Sequence, residues 1–211
     1  MAHRGIHLYL VTDRTQTQGR ALADVVEAAV AGGVDAVQLR EKDLSGRALF
    51  ELARDLRARC TRYGARLLIN DRIDVALAVG ADGVHLPVNS FAVVDARRLL
   101  GPTALIGASA HTPAQARTAA ADGADFIVYG PIFDTPSKRA FGPPLGLEAL
   151  QRVTRELTIP VLAIGGMNAA RAPEVRRHGA HGLAMISAIL GATDPRAAAA
   201  TVRAHFAPHV P

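Results

Sequence analysis

Cysteine, aromatic residues and long apolar runs are scarce in this sequence, and each scarcity argues against a class of protein. The single cysteine, Cys60, excludes an intramolecular disulfide, and its position in a helical pattern predicts a plain packing role. No apolar run approaches the roughly 20 residues that cross a membrane. Residues 1–5 carry no apolar signal-peptide region, so we expect a cytoplasmic protein without a membrane partner.

A nucleic-acid partner is disfavoured on similar grounds. The formal net charge is +5, but the arginines that supply it are spread over several helical segments, and aromatic residues make up only 4%. This charge is compatible with small acidic substrates. Nothing in the sequence indicates the oligomeric state.

What the sequence does contain is a regular alternation of short apolar strands with amphipathic helices. The helices are predicted over 20–31, 45–64, 73–79, 93–100, 113–121, 147–157, 170–178 and 195–206. The predicted strands are Leu8–Val11, Ala36–Glu41, Arg66–Asp71, Gly83–Pro87, Leu105–Ser109, Phe126–Gly130, Val161–Ile164 and Gly182–Ile186. A weak repeat of Gly-x-Asp, ending in Asp35, Asp82 and Asp125, precedes three of them, and Gly-x-His181 precedes the last.

This alternation predicts an α/β fold. Strands that alternate with helices pair in parallel through right-handed crossovers, and eight such units in about 200 residues fit a (β/α)8 TIM barrel. We therefore predict a single TIM-barrel domain over residues 1–211, without a linker. An open doubly wound sheet is the alternative, disfavoured because no G-x-G-x-x-G follows the first strand.

The second predicted strand carries an unusual row of polar side chains. Gln38, Arg40 and Lys42 alternate with Val37 and Leu39 and so share one face. Arg and Lys are the usual pair for binding phosphate or carboxylate. Two interpretations remain open on this strand alone: an edge strand with a solvated face, and a pocket for an anionic ligand.

The other strand ends are polar as well. In a barrel of this kind the active site lies at the C-terminal ends of the strands, so these side chains converge on one rim. They are Thr12 and Asp13, Asn70 and Asp71, His85, Ser109 with His111, Tyr129, Gly165 and Gly166, and Ser187. His85 and His111 are candidates for acid–base groups or for hydrogen-bonded structural residues.

Two segments suggest a phosphate site. Gly165 and Gly166 end the seventh strand before Asn168, and Ser187 begins the segment after the eighth. Backbone N–H groups in glycine turns and at helix starts bind oxyanions, and the loops after strands seven and eight are the common phosphate cradle of this fold. The alternative is that these residues serve only to form turns.

The loop over 130–144 is long for its position, which is typical of a lid. Thr135, Ser137 and Lys138 offer two hydroxyls and a cation, which suit a diphosphate or a carboxylate. Asp71 is a candidate ligand for Mg²⁺ bridging phosphates, although one carboxylate is a weak metal signal.

Taken in order, these segments resemble the thiamine phosphate synthase/TenI family from about Leu8 to Ile189. The matching pieces are Gln38-Leu-Arg40-Glu-Lys42, Asn70-Asp71, Gly83-Val-His85, Ser109-Ala-His111, Gly130 to Lys138, Ile164-Gly165-Gly166 and Ile186-Ser187. The resemblance implies a (β/α)8 barrel that joins hydroxymethylpyrimidine diphosphate to a thiazole phosphate with Mg²⁺ and releases pyrophosphate.

The resemblance also implies roles for individual residues. The pyrimidine diphosphate would be held by Gln38, Arg40, Lys42, Asn70 and Lys138, with Ser109 beside the pyrimidine. Thr135 and Ser137 would contact the thiazole, Gly166, Ile186 and Ser187 its phosphate, and Asp71 the metal. Among these, Arg40, Lys138 and Ser109, together with His111, are the expected catalytic residues.

One segment departs from the synthase pattern. Pro87–Phe91 lacks the acidic residue that the resemblance leads one to expect as a second Mg²⁺ ligand, and offers only Asn89 or Ser90. This form looks more like a thiazole tautomerase, in which His111 would transfer the proton without Mg²⁺. A non-catalytic binding protein of the same pathway and another phosphosugar barrel are further alternatives. The retained diphosphate residues favour the synthase.

Overall fold

The computed structural model describes residues 5–135 and 142–206. Within these residues eight parallel strands pair in chain order, and the first also pairs with the last, so the sheet closes into a barrel. The strands are β1 Leu8–Val11, β2 Ala36–Leu39, β3 Arg66–Asn70, β4 Gly83–Leu86, β5 Leu105–Ala110, β6 Phe126–Tyr129, β7 Val161–Ala163 and β8 Gly182–Met185.

The helices surround this barrel. They are α1 Leu22–Ala31, α2 Gly46–Arg62, α3 Ile73–Val79, α4 Val93–Leu100, α5 Pro113–Ala121, α6 Gly146–Glu156, α7 Ala172–Arg177, α8 Ser187–Leu190 and α9 Pro195–Ala204. Short 3-10 helices cover Arg14–Gln16 and Ala169–Arg171. The predicted TIM barrel is confirmed, and the open-sheet alternative is wrong. No helix among the described residues is both long and apolar enough to cross a membrane.

Local capping explains why several helices begin where the sequence predicts. The Thr112 hydroxyl accepts from the Gln115 N–H, and the Gln115 side chain accepts from the Thr112 N–H, which forms a capping box ahead of Pro113. Ser45 caps α2 through a single bond, in which its hydroxyl accepts from the Ala48 N–H. The predicted helix over 170–178 is instead a 3-10 turn followed by α7, which has a proline in its first turn.

Six of the eight strands end one or two residues earlier than predicted at the rim of the barrel, whereas β1 ends as predicted and β5 continues to Ala110. β2 stops at Leu39, so Arg40 lies in the following loop and Lys42 is exposed there instead of on the strand face. β2 also pairs with both β1 and β3, so the edge-strand interpretation is wrong. The chain leaves the sheet here because Glu41 turns to bind Arg14, as described below.

Apolar side chains form two layers. One fills the barrel interior and includes Tyr9, Val11, Leu68, Phe126 and Val128. The other packs between the barrel and the helices, and Cys60 is fully buried in it, as predicted. Burial raises the pKa of the Cys60 thiol to about 12, so the thiol stays protonated.

The repeated Gly-x-Asp segments lie at the N-terminal ends of the strands, here called the base of the barrel. Asp82 accepts from the Leu67 N–H at 2.7 Å and from Arg57 Nη1 at 2.7 Å. Asp35 and Asp125 likewise accept main-chain N–H groups at the starts of β1 and β5, paired with Arg203 and Arg97. The aspartates that precede β2, β4 and β6 therefore tie these strands to the starts of β1, β3 and β5.

Candidate active site

A chain of polar side chains crosses the barrel interior below the C-terminal strand ends, here called the mouth. Gln38 Nε2 donates to the Tyr9 hydroxyl at 3.3 Å, that hydroxyl lies 3.4 Å from His85 Nδ1, and His85 Nε2 lies 2.9 Å from Ser109 Oγ. This chain connects β1, β2, β4 and β5. It brings together Gln38 and Ser109, two of the residues predicted to bind substrate.

The donors and acceptors available in this row of side chains determine the direction of each hydrogen bond. Because the Gln38 amide nitrogen can only donate, the Tyr9 oxygen accepts there and its own proton is best used on His85 Nδ1. His85 Nε2 then carries the imidazole proton and donates to Ser109 Oγ. The Ser109 hydroxyl proton is thereby left for a ligand at the mouth.

His85 is a structural member of this chain. The side chain is fully enclosed, and burial, with a smaller effect from Arg40, lowers the pKa of His85 to about 3. The ring is therefore neutral and is a poor proton acceptor, so the acid–base hypothesis for it is disfavoured. Gly107 makes room for the ring, because a Cβ there would overlap Phe126 and lie 2.8 Å from His85 Nδ1.

Arg40 is anchored through its backbone. Its N–H donates to the buried Thr12 hydroxyl at 2.9 Å. The next residue, Glu41, is buried and accepts from both the backbone N–H and the guanidinium of Arg14. This leaves the Arg40 guanidinium without a hydrogen bond or an ion pair among the described residues. Arg40 thus has a fixed backbone and a side chain available for a ligand.

Asp71 is held in an unusual backbone conformation at the end of β3. Its φ is 65°, in the region that favours glycine, and its N–H donates to the His85 carbonyl at 2.9 Å. The Ser90 hydroxyl donates to Asp71 Oδ1. Of the two residues considered as replacements for the missing acid, Asn89 and Ser90, it is Ser90 that bonds the carboxylate. The neighbouring Asn70 lies opposite His85 in the sheet register.

The predicted glycine turn presents a run of backbone N–H groups. Gly165 and Gly166 have φ values of 96° and 65°, and the N–H groups of Gly165, Gly166 and Met167 have no acceptor in the part of the chain that the structure describes. Successive unpaired N–H groups of this kind form an anion-binding concavity. The geometry agrees with the predicted phosphate cradle.

Ser187 begins α8, directly after Ile186, as the sequence suggests. This helix spans only four residues, so its dipole is small and the contribution of this segment is the hydroxyl and the local N–H groups. Thr135 lies half-buried at the near end of the loop after β6. Ser137 and Lys138 lie outside the described residues.

His111 lies at the rim, where its ring contacts the same loop. Nδ1 is 2.5 Å from the Gly130 carbonyl oxygen, which can only accept, so Nδ1 carries a proton. In the neutral ring Nε2 then carries no proton and can accept one. The ring is exposed and does not join the chain through His85.

Sequence reasoning missed several residues that shape this site. Tyr9 is hidden in an apolar strand, although its hydroxyl at an interior position was an available signal. Glu41 and Arg14 form a pair across 27 positions, and no local pattern in the sequence marks it. Arg171 contacts the glycine turn, but nothing in the sequence around it marks this role.

Protein side chains alone do not form a closed metal site here. Within 5–135 and 142–206 no group of three or more His, Cys, Asp or Glu side chains could hold an ion. Asp71 and Ser90 still provide one carboxylate and one hydroxyl at the mouth. That donor set fits Mg²⁺, which commonly takes one or two carboxylates and completes its shell with substrate phosphates and water.

Comparison with known proteins agrees with this geometry. Residues 8–189 match the family model described as thiamine monophosphate synthase. A putative thiamine-phosphate synthase of Geobacter sulfurreducens is 53% identical, covering 99% of this chain and 98% of that protein. A thiamine-phosphate synthase of Roseiflexus castenholzii is 46% identical over 92% of this chain and 85% of its own length.

Solved structures give the same result. Thiamine phosphate pyrophosphorylase from Pyrococcus furiosus superposes with a TM-score of 0.87 and 36% identity, covering 95% of each chain. A 3-hexulose-6-phosphate synthase superposes with a TM-score of 0.72 at 19% identity, covering 95% of this chain and 100% of that chain. At that identity the second likeness concerns the fold alone.

Proposed function

This chain belongs to the thiamine monophosphate synthase family, and we propose that it couples hydroxymethylpyrimidine diphosphate to a thiazole phosphate to give thiamine phosphate and pyrophosphate. With the carboxylate form of the thiazole phosphate, CO₂ is released as well. It is an enzyme of the transferase type that acts on small phosphorylated substrates. We expect it to act in the cytoplasm.

The proposal is supported by two separate sets of groups at one mouth that are suited to bind anions. One set lies in or directly after β2, β3 and β5 and consists of Gln38, Arg40, Asn70 and Ser109. The other follows β7 and β8 and consists of the N–H groups of Gly165, Gly166 and Met167 with the Ser187 hydroxyl. Two sets suit two phosphorylated substrates, whereas a tautomerase has only one to bind.

The reaction needs charge stabilisation more than proton transfer. The C–O bond between the pyrimidine methylene and the diphosphate breaks, and the electron pair leaves with the pyrophosphate. The lone pair of the thiazole nitrogen then forms the new C–N bond with the methylene cation. The task for the protein is to stabilise the departing charge, a role that we assign to Arg40 and, by resemblance, to Lys138.

The remaining residues would orient the substrates. Ser109, fixed by His85, presents its hydroxyl proton to the pyrimidine, and Gln38 and Asn70 bind beside the diphosphate. Lys42 is exposed on the loop and would reach the diphosphate only from outside the strand. Gly166, Ile186 and Ser187 would hold the thiazole phosphate, with Thr135 and Ser137 near the thiazole ring.

Asp71 would hold Mg²⁺, with Ser90 positioning the carboxylate. When bound together with the diphosphate, the ion would neutralise part of the charge on the leaving group. The exposed carboxylate of Asp71 lies at the mouth and belongs to no group of three or more potential metal-ligating side chains among the described residues. We therefore expect Mg²⁺ to bind together with the diphosphate substrate.

The test is an assay with both substrates and MgCl₂, in which thiamine phosphate is followed by chromatography. We expect product only when both substrates are present, and we expect a chelator to abolish it. Aromatised thiazole formed from the thiazole carboxylate phosphate alone, without Mg²⁺, would identify a tautomerase instead. A shift in melting temperature on adding substrates, with no turnover, would identify a binding protein.

His111 distinguishes the two enzymes further. Its free Nε2 is suited to proton transfer, which a tautomerase needs and the coupling step does not. We expect His111→Ala to leave coupling within about threefold of the wild-type rate. If coupling and tautomerisation fall together, the contact with the Gly130 carbonyl is structural.

A further inference from the structure

Arg171 joins two loops at the mouth that are distant in sequence. Its guanidinium carbon lies 4.3 Å from the centre of the Phe133 ring, and its Nη1 donates to the Gly166 carbonyl. The backbone N–H of Arg171 is itself held by the Asn168 side chain at 3.0 Å. One planar group therefore contacts both the loop after β6 and the glycine turn after β7.

The loop after β6 is also bound to the glycine turn through its backbone. The Ile132 N–H donates to the Ile164 carbonyl at 2.8 Å, and the Phe133 N–H donates to the Gly165 carbonyl at 3.2 Å. With the bond from Arg171 to Gly166, three successive carbonyls have donors. Each of these carbonyls is turned towards the loop or towards Arg171.

Because of the geometry of the peptide bond, these contacts also fix the direction of the N–H groups in the cradle. In a trans peptide the C=O and the following N–H point in opposite directions. Fixing the carbonyls of Ile164, Gly165 and Gly166 therefore turns the N–H groups of Gly165, Gly166 and Met167 away from the loop. These are the three N–H groups that lack an acceptor in residues 5–135 and 142–206.

The packing around Gly166 leaves little freedom. A Cβ at this position would lie 2.8 Å from Arg171 Nη1, from the Asp134 carbonyl oxygen and from Phe133 Cβ. Arg171 and the loop therefore enclose the turn. A movement of Arg171 would release the carbonyl of Gly166 and allow the Met167 N–H to rotate.

We propose that Arg171 is a positioning residue that orients the backbone N–H groups of the phosphate cradle by bonding the glycine turn and stacking on Phe133. The inference rests on the proposed function, because it assigns this cradle to the thiazole phosphate. Arg171 does not itself touch the substrate. A planar guanidinium is required, since it stacks on an aromatic ring and donates in its own plane, which an ammonium group does not.

The experiment compares Arg171→Met and Arg171→Lys with the wild-type enzyme, using Arg177→Ala as the control. Arg177 is exposed at the end of α7 and has no hydrogen bond or ion pair among the described residues, so its replacement matches the loss of charge. For each protein the KM of both substrates and kcat are measured, and thiazole phosphate binding is measured by calorimetry.

We expect Arg171→Met to raise the KM and the Kd for thiazole phosphate about tenfold. The KM for the pyrimidine diphosphate and the melting temperature should stay near those of the control. Arg171→Lys should keep most of this defect. Full rescue by lysine would mean that only the charge matters and would overturn the positioning role, as would equal losses in both KM values.

Phe133→Leu keeps the proposal testable if Arg171→Met does not fold. This variant removes the stacking surface but not the donor, and should raise the same KM severalfold. Adding Arg171→Lys to it should cost less than the sum of the two single changes, because both disturb one contact. Additive losses would contradict the proposal. If the wild-type enzyme forms no thiamine phosphate, the proposed function fails, and the calorimetric Kd alone decides on Arg171.

Discussion

At the base of the barrel Asp35, Asp82 and Asp125 each accept from a main-chain N–H and pair with an arginine, whereas at the mouth the side chains of Arg40 and Asn70 form no hydrogen bond or ion pair among the described residues. Both ends are rich in charge. They differ in that the three carboxylates at the base are all bonded within the chain, whereas at the mouth some charged groups, such as Glu41, are bonded and others, such as Arg40, are not.

This difference separates stability from function. A carboxylate that is already bonded at the base holds strand starts together and has little left to offer a ligand. An arginine left unpaired at the mouth contributes little to folding and can bind an anion. Substitutions at the base should therefore change the free energy of unfolding, and substitutions at the mouth should change turnover.

The largest expected effect is on turnover. Arg40→Ala should lower kcat for coupling by at least about a hundredfold, because it removes a cation that stabilises the departing pyrophosphate. The free energy of unfolding should change by less than about 0.5 kcal/mol, since the side chain forms no hydrogen bond or ion pair among the described residues. Steady-state kinetics tests the predicted fall in kcat, and urea denaturation tests the predicted free energy of unfolding.

Arg177→Ala is the matched control for this prediction. Arg177 is exposed at the end of α7, and its replacement removes the same charge at the base of the barrel. It should leave kcat within twofold of wild type. A comparable fall in both variants would mean that net charge, and not the position of Arg40, determines turnover.

The next effect is on stability at the base. Asp82→Ala should lower the free energy of unfolding by about 2 kcal/mol, because the Leu67 N–H and the Arg57 guanidinium both lose their acceptor. Asp82→Asn keeps an acceptor and should lose about half as much. kcat, measured well below the melting temperature, should not change in either variant. A loss of turnover without a loss of stability would contradict the division between base and mouth.

His85, which lies between the two ends, should have a smaller effect, on the change in the free energy of unfolding per pH unit. Its pKa in the native protein is lowered to about 3 by burial, so between pH 6.5 and 3 the unfolded chain binds a proton that the folded chain does not. Stability therefore falls as the solution is acidified, by up to about 1.4 kcal/mol per pH unit for this proton. His85→Gln removes this contribution.

The measurement is the free energy of unfolding of both proteins at pH 7, 6 and 5. The difference between wild type and His85→Gln should change with pH in the sense that wild type loses more on acidification. His181, whose pKa is also lowered by burial, is present in both proteins and cancels. Parallel stability curves would mean that His85 titrates normally in the native state.

The barrel and the positions facing its interior could be predicted because they follow from local periodicity. Alternation along β2 places Gln38 inside, and the repeated Gly-x-Asp segments mark the base. The loop after β2 could not be predicted in the same way. Glu41 is buried by a partner 27 positions earlier, Arg14, and no local pattern encodes that pairing.

The same limit applies to the site. Ser90 bonds to Asp71 across 19 positions, and Tyr9 joins Gln38 and His85 from an otherwise apolar strand. Residue type and strand position show which side chains reach the mouth. They do not show which of those side chains already have a partner, and that property distinguishes a ligand-binding group from a structural one.

The smallest predicted effect tests whether the mouth stores backbone strain. Asp71→Gly and Asp71→Ala both remove the carboxylate and its bond from Ser90, and both should stop coupling if Asp71 holds Mg²⁺. They differ in the backbone, because a φ of 65° suits glycine and strains alanine. The glycine variant should therefore be more stable than the alanine variant by about 1 kcal/mol, even though glycine also makes the unfolded chain more flexible. Urea denaturation of the two inactive proteins gives this difference directly, and an alanine variant at least as stable as the glycine variant would mean that Asp71 is unstrained. At the base, where Asp82 is not among the residues with positive φ, the same pair should show no advantage for glycine.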